Sequence, residues 1–407
     1  MTHEIPGTLL LDPDVIDNPY PLYRRLHTEA PVWEIPGTGI FTVSTFGLLA
    51  EAVSRVDDFS SNIECLLYRD DSGLPARLTF GGGTDGQVLA TADPPLHPVH
   101  RNAVFPELVA KRMRELEPAV AALAGELVTS ALEHGDVEFM TAIGNLVPIT
   151  VISRLIGFRD SNLDDLWSSA VNGTRLLAST RGLSALTDVT SSGDNVMAWI
   201  AQQLSAALSD PGEDLLGAVA RAVNDDVLNE HEGVGMLMTL LSAGGETTTS
   251  LLGNAVRMLA ENPDLQEHLR GNPDQIPTFA EEALRLESPF RYLMRSVPRD
   301  CTLGSVAIPG GSTVLLLWGA ANRDPAEFER PDEIDLGRRV PRRHVAFGRG
   351  IHTCVGAPLA RIEARVVLTT LIERTKSIAL QPDHPPRWVN SLLVRRHEEL
   401  PVRLKAR

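Results

Sequence analysis

Cysteine is scarce in this chain: three among 407 residues, at Cys65, Cys301 and Cys354. An odd number so widely dispersed gives no readable disulfide framework and fits a reducing compartment. Basic residues are also in deficit, 37 Lys and Arg against 53 Asp and Glu, for a formal net charge of −16. That balance argues against nucleic acid as a general partner. No long uninterrupted apolar run exists: Val234 to Ala260 is the most apolar stretch, but it contains Glu246, Arg257 and several Gly and Thr. No membrane anchor is therefore expected. The opening residues lack a basic segment followed by an apolar core, so no signal peptide is read and the cytoplasm is the expected location. Internal repeats, low-complexity linkers and flavin or dinucleotide motifs are absent too.

What is present is patterned unevenly. The first ninety residues mix a short helix, "NPYPLYRRLHTEA", with strand-like "GIFTVST", and a loop is expected from Cys65 to Ala90. From His97 to Ala260 the periodicity is helical, with "PELVAKRMRELEPAVAALAGELVTSALEHG" ending in Gly. "IPTFAEEALRLESP" predicts a short helix stopped by Ser-Pro. Strands return after Pro289 in "RYLMRSV", "VAIPGGSTVLLLW" and "SLLVRRHEELPVRL", and a last long helix is expected from about Ala357 to Lys376. The fold class is mainly α with a smaller β-rich lobe (α+β), its β segments pairing across the sequence.

One stretch carries chemistry: "FGRGIHTCVGAPLAR", Phe347 to Arg361, surrounds Cys354 with Gly348, Gly350 and Gly356 just before a helix. A buried inert cysteine would not require those glycines. A zinc site needs four ligands, and His352 with Cys354 supplies two. A cysteine nucleophile would want His352 as its base, but two residues apart in a loop does not make the side chains meet. The remaining reading is a thiolate, with backbone N–H groups turned toward the sulfur and a helix N-terminus favouring its charge. Such a thiolate suits a large, flat metal cofactor.

Phe347-Gly348-x-Gly350-x-His352-x-Cys354-x-Gly356 resembles the haem-binding loop of the cytochrome P-450 family at every position. Other stretches agree, in the family's order. Glu282 and Arg285 share a helix face; as a surface pair they would be unremarked, but the resemblance makes them a structural network with Arg338 or Arg339 as third member. His97 and Arg101 in "DPPLHPVHR", with Arg295 and His352, are implied ligands of the haem propionates. Ala243-Gly244-Gly245-Glu246-Thr247-Thr248 resembles the family's oxygen-binding groove, where small residues and a local helix distortion make room for dioxygen. The alternative for Gly244 and Gly245 is close helix packing. Thr247 would be the hydrogen-bonding alcohol and Glu246 the proton-relaying acid, with Glu where the family often has Asp.

The resemblance thus implies one cytochrome P-450 domain over 1–407. Its β-rich lobe comes from about 1–90 with parts of 290–345 and 377–407, its helical lobe from about 91–289 and 346–376, and haem b lies between the long central helix and the cysteine-loop helix. Cys354 would be the axial iron ligand, and the cofactor contacts His97, Arg101, Ala243, Gly244, Arg295, Phe347, Gly348, His352, Cys354 and Gly356. "DGQVLATADPPLHPVHR", "ESPFRYLMR" and "SLLVRRHEEL" resemble actinobacterial, mycobacterial-type members. The implied reaction inserts one oxygen atom from O2 into an apolar substrate, in a monomeric enzyme. Electrons would come from a ferredoxin and an NAD(P)H-dependent ferredoxin reductase. From Arg338 to Arg374 eight arginines stand against two acids, a local excess of +6 that would steer an acidic carrier, the alternative being that several of them are buried in structural pairs.

The substrate pocket is expected from Thr239, Ser242, Ala243 and Thr247, the segment Leu66 to Phe80, and Leu392 or Leu393. If Arg295 faces the haem, strand alternation puts Leu293 and Arg291 on that face, where Arg291 would either meet a substrate carboxylate or carbonyl or pair with a neighbouring acid. A lipid-like acid or an oxygenated terpenoid or steroid is the expected ligand class. The competing functions are a peroxide-driven haem-thiolate peroxygenase, disfavoured by the Glu246-Thr247 pair, and a non-catalytic haem sensor or ligand-binding protein.

Overall fold

The computed structural model describes residues 5–79, 87–108, 110–176 and 184–407. Two short strands near the start, β1 (Val32–Ile35) and β2 (Ile40–Val43), form a hairpin buried on both faces, Ile35 and Ile40 packing on one side and Val32, Phe41 and Val43 on the other. Where the sequence predicts a loop over Cys65–Ala90, the chain forms a second hairpin, β3 (Cys65–Arg69) with β4 (Pro75–Thr79). Its turn explains the difference. Asp70 Oδ1 accepts from the amides of Ser72 and Leu74, both at 2.9 Å, and Gly73 takes a positive φ, so the polar run is a reversal between two strands. Phe80, placed by sequence in the pocket wall, lies outside the described residues.

Pairing across the chain is realised in the main sheet. β5 (Leu293–Ser296) and β6 (Thr313–Leu316) join the first hairpin in the order β1-β2-β6-β5, with β2 and β6 parallel and Ile40 opposite Thr313. The all-buried pattern of β6 is that of a central strand covered on both faces.

The helical part is layered around one long element. α1 (Leu96–Val104) carries "DPPLHPVHR". The run predicted as one helix over 106–135 is two, Ala110–Glu115 and Glu117–His134, because Pro118 can open a helix but not continue one; Gly135 then closes it with φ +76. α2 (Leu146–Ile156) and α3 (Leu163–Leu176) pack on α4 (Glu230–Glu261), the central helix. α4 begins with a capping box in which Asn229 and Glu232 satisfy each other's backbone amides. α5 (Ile276–Leu286) stops before Ser288-Pro289 as expected, and α6 (Ala357–Arg374) follows the cysteine loop. Among the described residues no helix is long and apolar enough to cross a membrane.

Candidate active site

The cysteine loop turns on two left-handed glycines, Gly348 (φ +70) and Gly350 (φ +75). A Cβ at Gly350 would sit 3.2 Å from the Val53 carbonyl, so the approach of the first lobe requires glycine there. The loop is cinched by the Cys354 amide donating to the Phe347 carbonyl at 2.8 Å. α6 begins three residues after the thiol, and the amides of Gly356 and Ala357 donate toward its sulfur. The Cys354 side chain is accessible, yet it lies deep enough that burial pushes its pKa up while those amides, Arg361 and Arg101 oppose the rise. A thiol with anion-stabilising donors in a low-dielectric setting ionises when a cation binds it. Among the described residues no three His, Cys, Asp or Glu side chains converge on a common metal position, which leaves zinc-like ligation without a ligand set.

Beside this thiol the structure gathers the four expected propionate ligands. The rings of His97 and His352 lie 4.2 Å apart. Arg101 donates to the carbonyls of Ile351 and Thr353 at 3.2 and 3.0 Å, which anchors α1 to the loop. Arg295 is buried and, among the described residues, donates only to the neighbouring Met294 carbonyl at 2.7 Å. The crowding shows in the electrostatics: burial first, then His97, Arg295 and Arg101, push the His352 pKa down to about 3, and burial pushes Arg295 down to about 10. His352 Nε2 is buried without a partner. Asp93, already committed to the Ser60 hydroxyl and the Ser61 amide, is the counter-charge acting on Arg295. Two guanidiniums and two uncharged imidazoles, with Asp93 as the carboxylate beside them, next to an accessible thiol, fit a flat dianionic haem.

α4 carries the second group of expected site residues. Most of its residues are buried, but Thr239, Ser242, Ala243 and Thr247 form an accessible stripe at helical spacing. Thr247 donates its hydroxyl to the Ala243 carbonyl at 2.6 Å. Glu246 points elsewhere: it is buried, and accepts from Arg396 Nε at 3.0 Å and from the Thr174 hydroxyl. Burial raises its pKa, and Arg396, Thr174 and Arg175 oppose the rise.

The model of the cytochrome P450 family matches residues 189–400. Cytochrome P450 144 of Mycobacterium tuberculosis is 40% identical over 390 residues, covering 95% of this chain and 88% of the relative. The chain belongs to the cytochrome P450 family. The 6-deoxyerythronolide B hydroxylase of Saccharopolyspora erythraea is 34% identical over 324 residues, 78% of each chain. Among solved structures, CYP109E1 of Bacillus megaterium, in complex with testosterone, superposes with a TM-score of 0.84 at 28% identity, covering 96% of this chain and 99% of that one. As a P450 the chain is a haem-thiolate monooxygenase that uses O2, with the mainly helical P450 fold.

In this P450 the Glu282–Arg285 pair is fully buried, not solvated. Arg285 grips Glu282 through Nε at 2.8 Å and Nη2 at 2.9 Å, and reaches the carbonyls of Asn322, Pro331 and Glu333. The third member is Arg338, whose Nε donates to Glu282 at 3.0 Å; Arg339 is exposed. Burial alone would raise the Glu282 carboxyl, but Arg285 and Arg338 hold it below its usual range.

Four expectations need correction. The distortion expected in α4 is not found: the helix stays regular through Gly244 and Gly245, where a Cβ would meet Ile152 at 2.9 Å and Ile149 at 3.3 Å, so close packing of α2 on α4 accounts for both glycines. Arg291 is only 3% exposed and its charged and phenolic neighbours are Arg395, Tyr23, Tyr20 and Glu287. Alternation counted back from Arg295 fails because β5 begins at Leu293; Arg291 instead bonds through its backbone to Leu393 and Gly319. Leu392 is likewise closed off in the first lobe's core, whereas Leu293 is half-buried on the other side of the sheet. Lastly, the arginine excess is largely spent within the molecule. Arg338 pairs with Glu282, Arg342 and Arg361 with Glu281, Arg343 with Glu327 and Arg365 with Glu117, while Arg374 bonds Gly125 and Thr129.

Sequence reasoning missed Thr174, Asp93 and Arg396. A signal for Arg396 exists: "LLVRRH" sets two arginines in a buried apolar run, which demands buried carboxylates. Arg395 finds Glu287 at 2.7 Å and Arg396 finds Glu246.

Proposed function

We propose that Cys354 would ligate the iron of haem b as a thiolate, that His97, Arg101, Arg295 and His352 would hold its propionates, and that Glu246 and Thr247 would deliver protons to the oxygen site. When bound, haem supplies the oxygen chemistry, its thiolate ligand favouring O–O cleavage. The protein's part would be to favour charge on the Cys354 sulfur through the Gly356 and Ala357 amides, to meet two propionates with the guanidiniums of Arg101 and Arg295 and the ring N–H groups of His97 and His352, and to offer the accessible stripe of α4 to the substrate. The observation that carries this reading is the accessible Cys354 thiol at the start of α6, adjoining the His97–Arg101–Arg295–His352 cluster.

The substrate we propose is apolar and sparsely oxygenated, of steroid, terpenoid or lipid type. Its support is the accessible stripe of Thr239, Ser242, Ala243 and Thr247, small side chains with a few hydroxyls, together with a testosterone-bound neighbour and a 6-deoxyerythronolide B hydroxylase among the relatives. Burial of Arg291 removes the reason to favour a free acid. Electrons come, in this reading, from a ferredoxin and an NAD(P)H-dependent reductase. The carrier docks beside the cysteine loop on Arg339 and Arg349, which make no ion pair among the described residues, and on Arg342 and Arg343, still 70% and 58% exposed. The enzyme is read as one cytoplasmic, monomeric domain over 1–407.

The deciding test is the reduced, carbon monoxide-bound difference spectrum of wild type and Cys354→Ala. A strongly red-shifted Soret band lost in the variant is expected; haem binding without that band in the wild type would refute the assignment. Spin-state titration with steroids against fatty acids then separates the substrate classes.

A further inference from the structure

A carboxylate buried in the middle of a helix must find partners, and Glu246 finds them in two distant parts of the chain. Oε1 accepts from Arg396 Nε at 3.0 Å, in the segment leading into the strand His397–Glu399, and Oε2 accepts from the Thr174 hydroxyl at the end of α3. The side chains of Glu246 and Arg396 are 2% and 7% exposed, so neither water nor salt screens the pair effectively. Arg396 is held as well: its Nη1 donates to the His397 carbonyl at 3.2 Å, and the Trp167 ring of α3 lies 5.3 Å from its guanidinium carbon. Thr174 has one hydroxyl proton to share between Glu246 and the Val171 carbonyl, 3.0 Å away. The next residue, Arg175, adds positive charge from α3, while α2 presents Ile149 and Ile152 to this part of α4. Thr247 is not part of the arrangement; it bonds back to Ala243.

A proton relay works best when its acid holds and releases the proton with comparable ease. Burial alone would leave Glu246 neutral, and the guanidinium of Arg396 is the largest influence opposing it. We infer that Arg396 is the positioning residue for Glu246, holding its carboxylate between the C-terminal segment and α3 in an ionisable state from which protons pass toward the oxygen site. This rests on Glu246 being the relay acid. The clamp joins three elements, so displacement of α3 or of the C-terminal segment loosens Glu246 directly.

The test follows the carboxyl itself. In the holoenzyme, the C=O stretching band that Glu246→Gln abolishes is titrated with pH by infrared difference spectroscopy, for wild type, Arg396→Leu and Arg396→Lys. Arg396→Leu is expected to move the midpoint up by about one to three pH units, and Arg396→Lys to restore most of it. Product formed per NADPH consumed should fall by about tenfold or more in Arg396→Leu, with its alkaline limb displaced upward. In a Glu246→Gln background the same substitution should add nothing. An unchanged midpoint, or a coupling defect that persists in full in the Glu246→Gln background, would overturn the inference. If Arg396→Leu loses the thiolate band and so its haem, Thr174→Val removes the other contact and must raise the midpoint for the clamp to stand. Glu246→Gln with wild-type coupling and pH limb would instead refute the relay assignment, whatever Arg396 does.

Discussion

Glu281 Oε1 and Arg361 Nε lie 2.6 Å apart, tying α5 to the first turns of the helix that follows Cys354. Glu281 also accepts from His344 at 2.9 Å, so one carboxylate braces both sides of the cysteine loop.

That brace has a pH signature. Burial would raise Glu281, but its bonds to His344 and Arg361 depress it to about 2; Glu287, buried among Arg395, Arg257 and Tyr20, is likewise depressed to about 2. Carboxylates depressed on folding stabilise the native state above their unfolded pKa and lose that contribution as pH falls through the folded value. Thermal stability is therefore expected to decline between about pH 4.5 and pH 2, by on the order of 3 kcal/mol per carboxylate. Melting curves of wild type and Glu281→Gln check this: the variant should be less stable at neutral pH and show a shallower acid slope.

Arg338 and Arg339 are adjacent and unequal. Arg338→Leu strips a partner from the fully buried Glu282 and should cost about 3–5 kcal/mol. Arg339→Leu should stay within about 0.5 kcal/mol. Denaturant unfolding of both variants distinguishes them, and equal effects would contradict the network.

Gly244→Ala places a methyl 2.9 Å from Ile152. Overpacking of this kind costs about 1–3 kcal/mol, and Ile152→Val should recover part of it in the double variant. If Gly244→Ala is neutral for stability but abolishes substrate oxidation, its role lies at the oxygen site and not in packing.

Arg349 is the exposed arginine nearest the thiol in sequence. Arg349→Glu should slow reduction by an acidic ferredoxin by about tenfold at low salt, and high ionic strength should narrow the gap between variant and wild type. Stopped-flow reduction at two salt concentrations measures both. A rate indifferent to salt and to Arg349 would place the docking face elsewhere.

The cysteine loop was legible because backbone geometry demanded glycine at fixed positions, and such demands are written locally. The ends of α5 and α6 were legible for the same reason, set by Ser288-Pro289 and by the turn before Ala357. Partnerships at a distance were not. Nothing near Glu246 announces Arg396, 150 residues away, and nothing near Gly244 announces Ile152. Arg291 was misplaced by carrying a two-residue alternation past the end of the strand that justified it. The arginine excess misled for a related reason, since a local charge count omits the acids that folding brings from elsewhere.

The pairing of β2 with β6 places a strand from the beginning of the chain against one made after nearly all the helices. During synthesis β2 waits as an open edge while the helical lobe emerges, and the long loop this closes makes its pairing a late event. The cysteine loop emerges later still, and Gly350 is seated against Val53 of the first lobe. The proposed haem pocket is therefore completed late: a chain released before the cysteine loop carries His97, Arg101 and the α4 stripe but no Cys354 thiol to face them.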